Sequence, residues 1–392
     1  MRTSSGSFWK ACITPLALAL AITSCQQNTS KDKTVNEQQE NVDIGVSAKD
    51  FETVIGEDSV KLYTIGNGTI TAAITNYGAR VVSLLVPDSA GNLVDVVLGY
   101  KDLENFRKPG EGFYGAIVGR FGNRINKGQF SVDGKPYQLE INDGENTLHG
   151  GKTGYYTKVW EVTKVTDESL ELHLLSPDGD AGYPGALDIY VTYSITSDNG
   201  LDIAYRATTD KKTVVNLTNH AYFNLSGEGA ETITDHQLMV KADHYTPVDK
   251  TLIPTGELAS VENTPFDFRK AKAIGKDIDA SDEQIKIGGG YDHNFVLTKK
   301  DGLEHIATVS SPKTGIKMEI LTEEPGLQFY SGNFMENIQN AKGGKTYGLR
   351  SAFCLETQHF PDAPNQAKFP STELSPGDTY ATHSTYRFST VK

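Results

Sequence analysis

The chain has 392 residues, of which 38% are hydrophobic and 22% are charged. This composition excludes a disordered or fibrous protein and is typical of a soluble globular one. The 37 basic and 50 acidic residues give a net charge of −13, which argues against nucleic acid and anionic ligands as partners.

The N-terminal segment has the pattern of a bacterial targeting signal. Arg2 and Lys10 precede an apolar run over residues 11–22, which is too short to span a bilayer comfortably. Small residues just before Cys25 favour a lipoprotein-type signal over residues 1–24 rather than an ordinary secretory signal. We therefore expect an exported protein, periplasmic or membrane-anchored, that touches the membrane only through a lipid on Cys25.

Residues 25–45 are polar and are predicted to form a flexible tether. Beyond them Cys354 is the only cysteine, so we expect neither an internal disulfide nor a cysteine-based metal site. No linker-like stretch interrupts residues 46–392. This region is therefore predicted to be a single domain.

Short apolar runs separated by turn residues follow one another along this region, and no helix longer than about two turns is evident. The spacing predicts an all-β protein, a large antiparallel sandwich or barrel. The predicted strands cover residues 60–65, 69–75, 80–86, 93–98, 159–165, 170–175, 187–196, 201–208, 236–240, 305–310, 316–322 and 352–357.

Residues 214–225 are predicted to form a further strand, and one face of it is polar at every position. That face carries Asn216, Thr218, His220, Tyr222 and Asn224. Amides, hydroxyls, an imidazole and an aromatic ring suit a neutral ligand rich in hydroxyl groups. Whether Asn216, Tyr222 and Asn224 touch the ligand or only orient the imidazole stays open.

Four other segments carry candidate chemistry. In residues 119–125, the planar donors of Arg124 suit a sugar oxygen, whereas Arg120 alone reads as a surface charge in a turn. His149 lies before two glycines and is a weak signal by itself.

Asp292 follows three glycines without the lysine that a phosphate-binding loop needs. Its two oxygens can accept from a pair of sugar hydroxyls, although a turn-capping role is also open. Glu356 shares a predicted strand face with Gln358 and precedes a proline-rich loop. Apolar neighbours favour a buried acid or base with a raised pKa over a surface carboxylate.

Together these segments resemble the aldose 1-epimerase, or galactose mutarotase, family. The resemblance rests on residues 123–125, 146–151, 218–225, 265–269, 292–295 and 356–365. It implies a galactose mutarotase-like β-sandwich around a sugar-binding cleft, with no cofactor and no metal. It also implies interconversion of the α and β anomers of free aldohexoses such as galactose and glucose.

The resemblance also implies residue roles. Glu356 matches the general base, His220 the general acid and His149 a second histidine of the site. The substrate-holding positions are Asn123, Arg124, Asp292 and Gln328.

Other functions are compatible with parts of this pattern. A glycosidase could use Glu356 and Asp292 as a carboxylate pair, but it would leave both histidines without a role. An exported sugar-binding module without catalysis also fits the polar face. A zinc site made of His149 and His220 lacks the usual ligand spacing. The preferred aldose and the oligomeric state stay open.

Overall fold

A computed structural model describes residues 43–391. These residues fall within one compact unit. The predicted signal segment, and the predicted tether as far as residue 42, lie outside the described residues. Within residues 43–391, no helix is long and apolar enough to cross a membrane.

The described region consists mainly of short strands. In chain order they are β1 (Thr53–Ile55), β2 (Asp58–Val60), β3 (Leu62–Gly66), β4 (Thr71–Thr75), β5 (Arg80–Pro87), β6 (Leu93–Asp95), β7 (Ile117–Val118), β8 (Arg124–Ile125), β9 (Gln129–Val132), β10 (Lys135–Gln138), β11 (Thr147–Leu148), β12 (Glu161–Val165), β13 (Ser169–Ser176) and β14 (Leu187–Ile195). They continue as β15 (Gly200–Thr209), β16 (Thr213–Val214), β17 (Thr218–Asn219), β18 (Gln237–Val240), β19 (Ala242–Tyr245), β20 (Ala259–Ser260), β21 (Lys272–Ala273), β22 (Asp292–Leu297), β23 (Glu304–Ser310), β24 (Ile316–Thr322), β25 (Gly326–Tyr330), β26 (Cys354–Gln358), β27 (Glu373–Leu374) and β28 (Tyr380–Thr390).

Helical structure in the described region is brief. The α-helices are α1 (Leu103–Phe106) and α2 (Glu283–Gly288). Single 3-10 turns cover Ala48–Phe51, Asn126–Gly128, Tyr155–Thr157, Asp180–Gly182, Ile274–Lys276, Lys342–Gly344 and Ala363–Asn365. The strands therefore determine the architecture.

Three antiparallel sheets make up most of the sandwich. The largest has the strand order β12-β13-β14-β15-β28-β24-β23-β18-β21. A second sheet has the order β20-β19-β22-β25-β26, and a third has the order β3-β4-β5-β6. The main apolar core draws on all three, for example through Val191, Phe329 and Ile74.

Strand β14 shows why the sequence folds in this way. Its odd positions from Leu187 to Ile195 are buried, while the residues between them are partly exposed. Side chains alternate across a strand, so this period of two buries one face and leaves the other towards solvent. The all-β sandwich predicted from the sequence is confirmed.

The single strand predicted over residues 214–225 is wrong. Only β16 and β17 are regular there, and the rest makes isolated bridges. Asn216 pairs with Phe121, whereas Phe223 pairs with both Val97 and Phe353. The pattern alternates because Val215, Leu217 and Phe223 pack into the apolar core while the polar residues between them face loops and the cleft, but the backbone partners of the segment change every few residues. A different strand, β28, was absent from the prediction.

Candidate active site

A polar cleft lies on the face of the five-stranded sheet that points away from the core. Phe295, Leu327 and Leu355 alternate into the core from β22, β25 and β26. The opposite face carries Asp292, Asn294, Gln328 and Glu356. β25 lies between β22 and β26, so the sheet brings together side chains that are far apart in sequence.

The cleft has a cavity volume of about 220 Å³. Its walls combine aromatic rings with ionisable and amide groups. They include Phe113, Tyr114, Asn123, Arg124, His149, His220, Tyr222, Asp292, Tyr330, Phe334 and Glu356. Such a mixture suits a small ligand with apolar ring faces and hydroxyl edges. All the sequence-predicted site residues except Gln328 line this cavity.

Glu356 and His220 meet inside the cleft. His220 Nε2 lies 3.7 Å from Glu356 Oε1, and both side chains are buried. The second carboxylate oxygen, Glu356 Oε2, is buried and has no hydrogen-bond partner among residues 43–391. Burial raises the pKa of Glu356 well above its usual value, and the nearby charge of Asp292 raises it further. Burial also lowers the pKa of His220 to about 4.

The second histidine is fixed by the backbone. His149 Nδ1 accepts a hydrogen bond of 3.1 Å from the backbone N–H of Asn123. The backbone N–H of His149 donates to the backbone carbonyl of Asn123. His149 adopts a φ of +52° and is followed by Gly150 at +85°. A Cβ on Gly150 would collide with the carbonyl oxygen of Gly119. The tight turn therefore needs glycine at position 150. The turn directs the His149 imidazole into the cleft.

His149, His220 and Glu356 form a group whose potential ligand atoms lie within 4.8 Å of one another. The hydrogen bond at His149 argues against a metal there. Its Nδ1 faces an N–H donor, so the proton of the neutral ring belongs on Nε2. A metal-binding histidine instead keeps its proton on the nitrogen that faces away from the metal. His149 is thus arranged to donate a hydrogen bond into the cleft, and its lowered pKa keeps the ring neutral.

Asp292 is held by two side chains, Gln328 from the neighbouring strand β25 and Arg124 from β8. Gln328 Nε2 donates to Asp292 Oδ1 over 2.7 Å, and Arg124 Nη1 lies 3.9 Å from Asp292 Oδ2. Arg124 Nε in turn donates to Asp143 over 2.7 Å. Burial raises the pKa of Asp292, and the charge of Arg124 opposes that rise. Gln328 therefore contacts Asp292 from outside the cavity lining.

The polar residues of the 214–225 segment divide into two groups. Asn216 bonds the backbone of Gly122 and His359, and Asn224 bonds the Ser351 carbonyl. The side-chain amides of Asn216 and Asn224 therefore join loops and do not line the cleft. Tyr222 instead lines the cleft and stacks on the His220 ring, with centroids 5.0 Å apart.

Arg120, interpreted as a surface charge, is buried. Its guanidinium donates to the carbonyls of Pro184 and Gly185 and to the Ser176 hydroxyl. The surface interpretation is wrong because backbone carbonyls from a distant loop supply its partners. Arg120 stabilises the fold behind the cleft.

Phe113 was missed by the sequence analysis. Its ring lies 4.7 Å from that of His149 and 5.8 Å from that of His220. It adopts a φ of +62°, which is unusual for a bulky residue. The preceding Gly-Glu-Gly segment was the only available signal. Phe113 covers both histidines and adds to their desolvation.

Comparison with known proteins is consistent with this site. The aldose 1-epimerase family model matches residues 61–387. The chain belongs to that family. It is 42% identical to pig galactose mutarotase over 84% of this chain and 94% of the relative. It is 38% identical to Escherichia coli aldose 1-epimerase over 84% of this chain and 95% of the relative.

A solved structure of an aldose epimerase homologue from C. elegans has a TM-score of 0.79 and 35% identity, and the match covers 85% of this chain and all of that one. The family resemblance predicted from the sequence is confirmed. The chain is therefore an enzyme of the isomerase class.

The predicted localisation is corrected by the same comparisons. The similar proteins include mammalian galactose mutarotases, which are typically cytosolic, and the comparisons give no evidence of export. The expectation of a periplasmic or membrane-anchored lipoprotein is therefore wrong. The residues on which it rested, including Cys25, lie outside the described residues.

Proposed function

We propose that residues 46–392 form one catalytic domain that interconverts the α and β anomers of free aldohexoses such as galactose and glucose. Mutarotase function is supported by relatives of 38–42% identity across most of the chain. The observation that carries the residue assignment is the meeting of Glu356 and His220 in a polar cleft, 3.7 Å apart. The proposed ligand is a small free sugar.

The chemistry needs one base and one acid. Glu356 takes the proton from the C1 hydroxyl, while His220 gives a proton to the ring oxygen. The bond between C1 and the ring oxygen breaks and C1 becomes an aldehyde carbon. Rotation about the C1–C2 bond and the reverse proton transfers close the ring on the other face. Each proton moves between oxygen and a side chain, so the pair is restored after each turnover.

The pKa directions fit a pair that shares one proton. Burial favours the neutral forms of both groups, so the proton rests on Glu356 in the empty cleft. A sugar hydroxyl that donates to the unpartnered Glu356 Oε2 stabilises the carboxylate. The neighbouring carboxylate then stabilises the His220 imidazolium, which yields the base and the acid together.

Three further groups would hold the sugar. Asp292 accepts from sugar hydroxyls, and Arg124 and Asn123 donate to sugar oxygens. Gln328 orients Asp292 through the hydrogen bond to Oδ1. His149, whose proton lies on the cleft-facing nitrogen, donates a hydrogen bond to the ring or C1 oxygen. These donors and acceptors match a neutral polyol better than a phosphorylated sugar.

The alternatives are less well supported. A glycosidase would need Asp292 as the second catalytic carboxylate, but Gln328 and Arg124 already engage its oxygens. A binding module without catalysis would not need a buried carboxylate that faces an imidazole through one oxygen and leaves its other oxygen without a partner.

Polarimetry separates the three functions. The protein is expected to accelerate the change in optical rotation of freshly dissolved α-galactose, and to leave methyl α-galactoside unchanged. The glycoside lacks a free C1 hydroxyl, so its ring cannot open by this route. Release of methanol would indicate a glycosidase, and no effect on either sugar would indicate a binding module.

A further inference from the structure

We infer that Tyr222 is a positioning residue that holds the loop of residues 110–114 over His220 and so keeps water away from the imidazole. This inference rests on the proposed acid role of His220. The Tyr222 ring stacks on the His220 ring with centroids 5.0 Å apart, and the Tyr222 hydroxyl donates to the Gly112 carbonyl over 2.7 Å. One side chain therefore joins the proposed acid to the loop that covers it.

The covering loop, residues 110–114, follows a path that has to be held in place. Phe113 adopts a φ of +62°, which a bulky residue rarely does without support from its surroundings. After Phe113, the Gly115 N–H donates to the His220 carbonyl, and the His220 N–H donates to the Ala116 carbonyl. Phe113 thus lies between these backbone bonds on one side and the bond from the Tyr222 hydroxyl on the other.

A second anchor holds the covering loop at a different point. Arg80 pairs with the Glu111 side chain at 2.6 Å, and the Tyr100 hydroxyl donates to the Glu111 carbonyl over 3.2 Å. These bonds fasten the loop to the body of the domain, whereas Tyr222 links it to the imidazole itself. Removal of the Tyr222 hydroxyl should therefore change the surroundings of His220 without releasing the whole loop.

The Tyr222 hydroxyl is not arranged to transfer a proton. Its proton is committed to the Gly112 carbonyl. Burial raises the pKa of Tyr222 well above its usual value, so the hydroxyl stays protonated at neutral pH. The side chain therefore acts through the position of the loop and of the His220 ring.

Burial is the main cause of the low pKa of His220, and a looser cover relieves it. The groups near this ring that carry or can gain a charge are Glu356, Cys354, His149, Tyr222 and Arg80. A hydrogen bond to the carbonyl of His220 itself raises its pKa, and the charge of Arg80 lowers it. Removal of a neutral hydroxyl alters none of these charges. A change in the pKa of His220 therefore reports how well the ring is shielded from water.

The test removes the hydroxyl and keeps the ring. Tyr222→Phe should preserve the stacking on His220 and release the carbonyl of Gly112. We expect kcat/KM for galactose to fall by about 3- to 10-fold, the size of one lost hydrogen bond. The pKa of His220, which burial lowers to about 4, should rise by about one pH unit because water reaches the ring. Nitrogen NMR of histidine-labelled protein, titrated without sugar, measures this pKa, and His220→Gln assigns the signal.

Two further variants make the test specific. Phe113→Ala removes the cover directly and should raise the pKa of His220 at least as much. Tyr222→Phe should then add little in the Phe113→Ala background, because both changes act through the same cover. Tyr183→Phe is the matched control, since the Tyr183 hydroxyl is buried and has no hydrogen-bond partner among residues 43–391. It should leave the pKa of His220 unchanged.

A pKa of His220 that keeps its wild-type value in Tyr222→Phe would overturn the inference. An equal rise in Tyr183→Phe, or full additivity of the Tyr222 and Phe113 changes, would do the same. Absence of mutarotation by the wild-type protein would instead defeat the proposed function. The NMR titration does not depend on turnover, so the two failures are distinguishable.

Discussion

Glu356→Gln is expected to reduce kcat for mutarotation by about 10²- to 10⁴-fold, the usual contribution of a positioned proton transfer. The amide has the shape of the carboxyl group but cannot accept the proton of the C1 hydroxyl. It still offers a hydrogen-bond acceptor, so sugar binding should remain within a few-fold of wild type. Polarimetry gives the rate, and calorimetric titration with galactose gives the affinity.

Glu324→Gln is the matched control for this prediction. Glu324 is also a buried glutamate, but it pairs with His359 outside the cleft. Its replacement should leave kcat largely intact. Near-normal turnover by Glu356→Gln would contradict the assigned base.

The dependence of kcat/KM on pH tests the role of Glu356 independently. The raised pKa of Glu356 means that the carboxyl group takes up its proton above pH 4.5 in the free enzyme. Because the active pair holds one proton, kcat/KM should fall as the pH rises through that raised pKa and the pair loses this proton, and also as the pH drops through about 4 and His220 gains a second one.

Glu111→Gln is expected to destabilise the fold by about 3–5 kcal/mol, the usual cost of removing one partner of a buried ion pair. Arg80 and Glu111 are both buried and joined by two hydrogen bonds of 2.8 and 2.6 Å. Without the carboxylate, the Arg80 charge is left uncompensated. Glu111 also accepts from the amides of Phe113 and Tyr114, so the loop over the histidines should loosen. Urea unfolding measures the first effect, and KM for galactose measures the second.

An exposed ion pair supplies the comparison. Asp178 pairs with Lys211 at the surface, and Asp178→Asn should change the free energy of unfolding far less because solvent screens such pairs. Equal stability losses in the two variants would show that burial of the Arg80 pair is not what makes it important.

A comparison of strand β14 with residues 214–225 shows how much of this fold the alternation of apolar and polar residues could predict. Strand β14 was identified closely because its apolar residues alternate over nine positions. Residues 214–225 alternate equally well, yet they do not form one strand. Alternation shows only that one set of side chains faces the core, and it does not state which strands pair with the segment.

The site depends on lateral pairing, which local patterns do not encode. Gln328 lies opposite Glu356 only because β25 and β26 pair in one register. The candidate residues were found through several motifs that jointly resemble a family. Phe113 and the Arg124 partner Asp143 were missed because each acts through a contact between separate loops.

Acid–base ring opening by Glu356 and His220 moves only protons bound to oxygen or nitrogen and breaks no C–H bond. Proton NMR of galactose at anomeric equilibrium in D₂O tests it directly, by magnetisation exchange between the α and β H1 signals. The wild-type protein is predicted to speed this exchange while H1 and H2 keep their full intensity, since no C–H bond breaks. Absence of enhanced exchange, or loss of the H1 or H2 signal to deuterium, would contradict acid–base ring opening by Glu356 and His220.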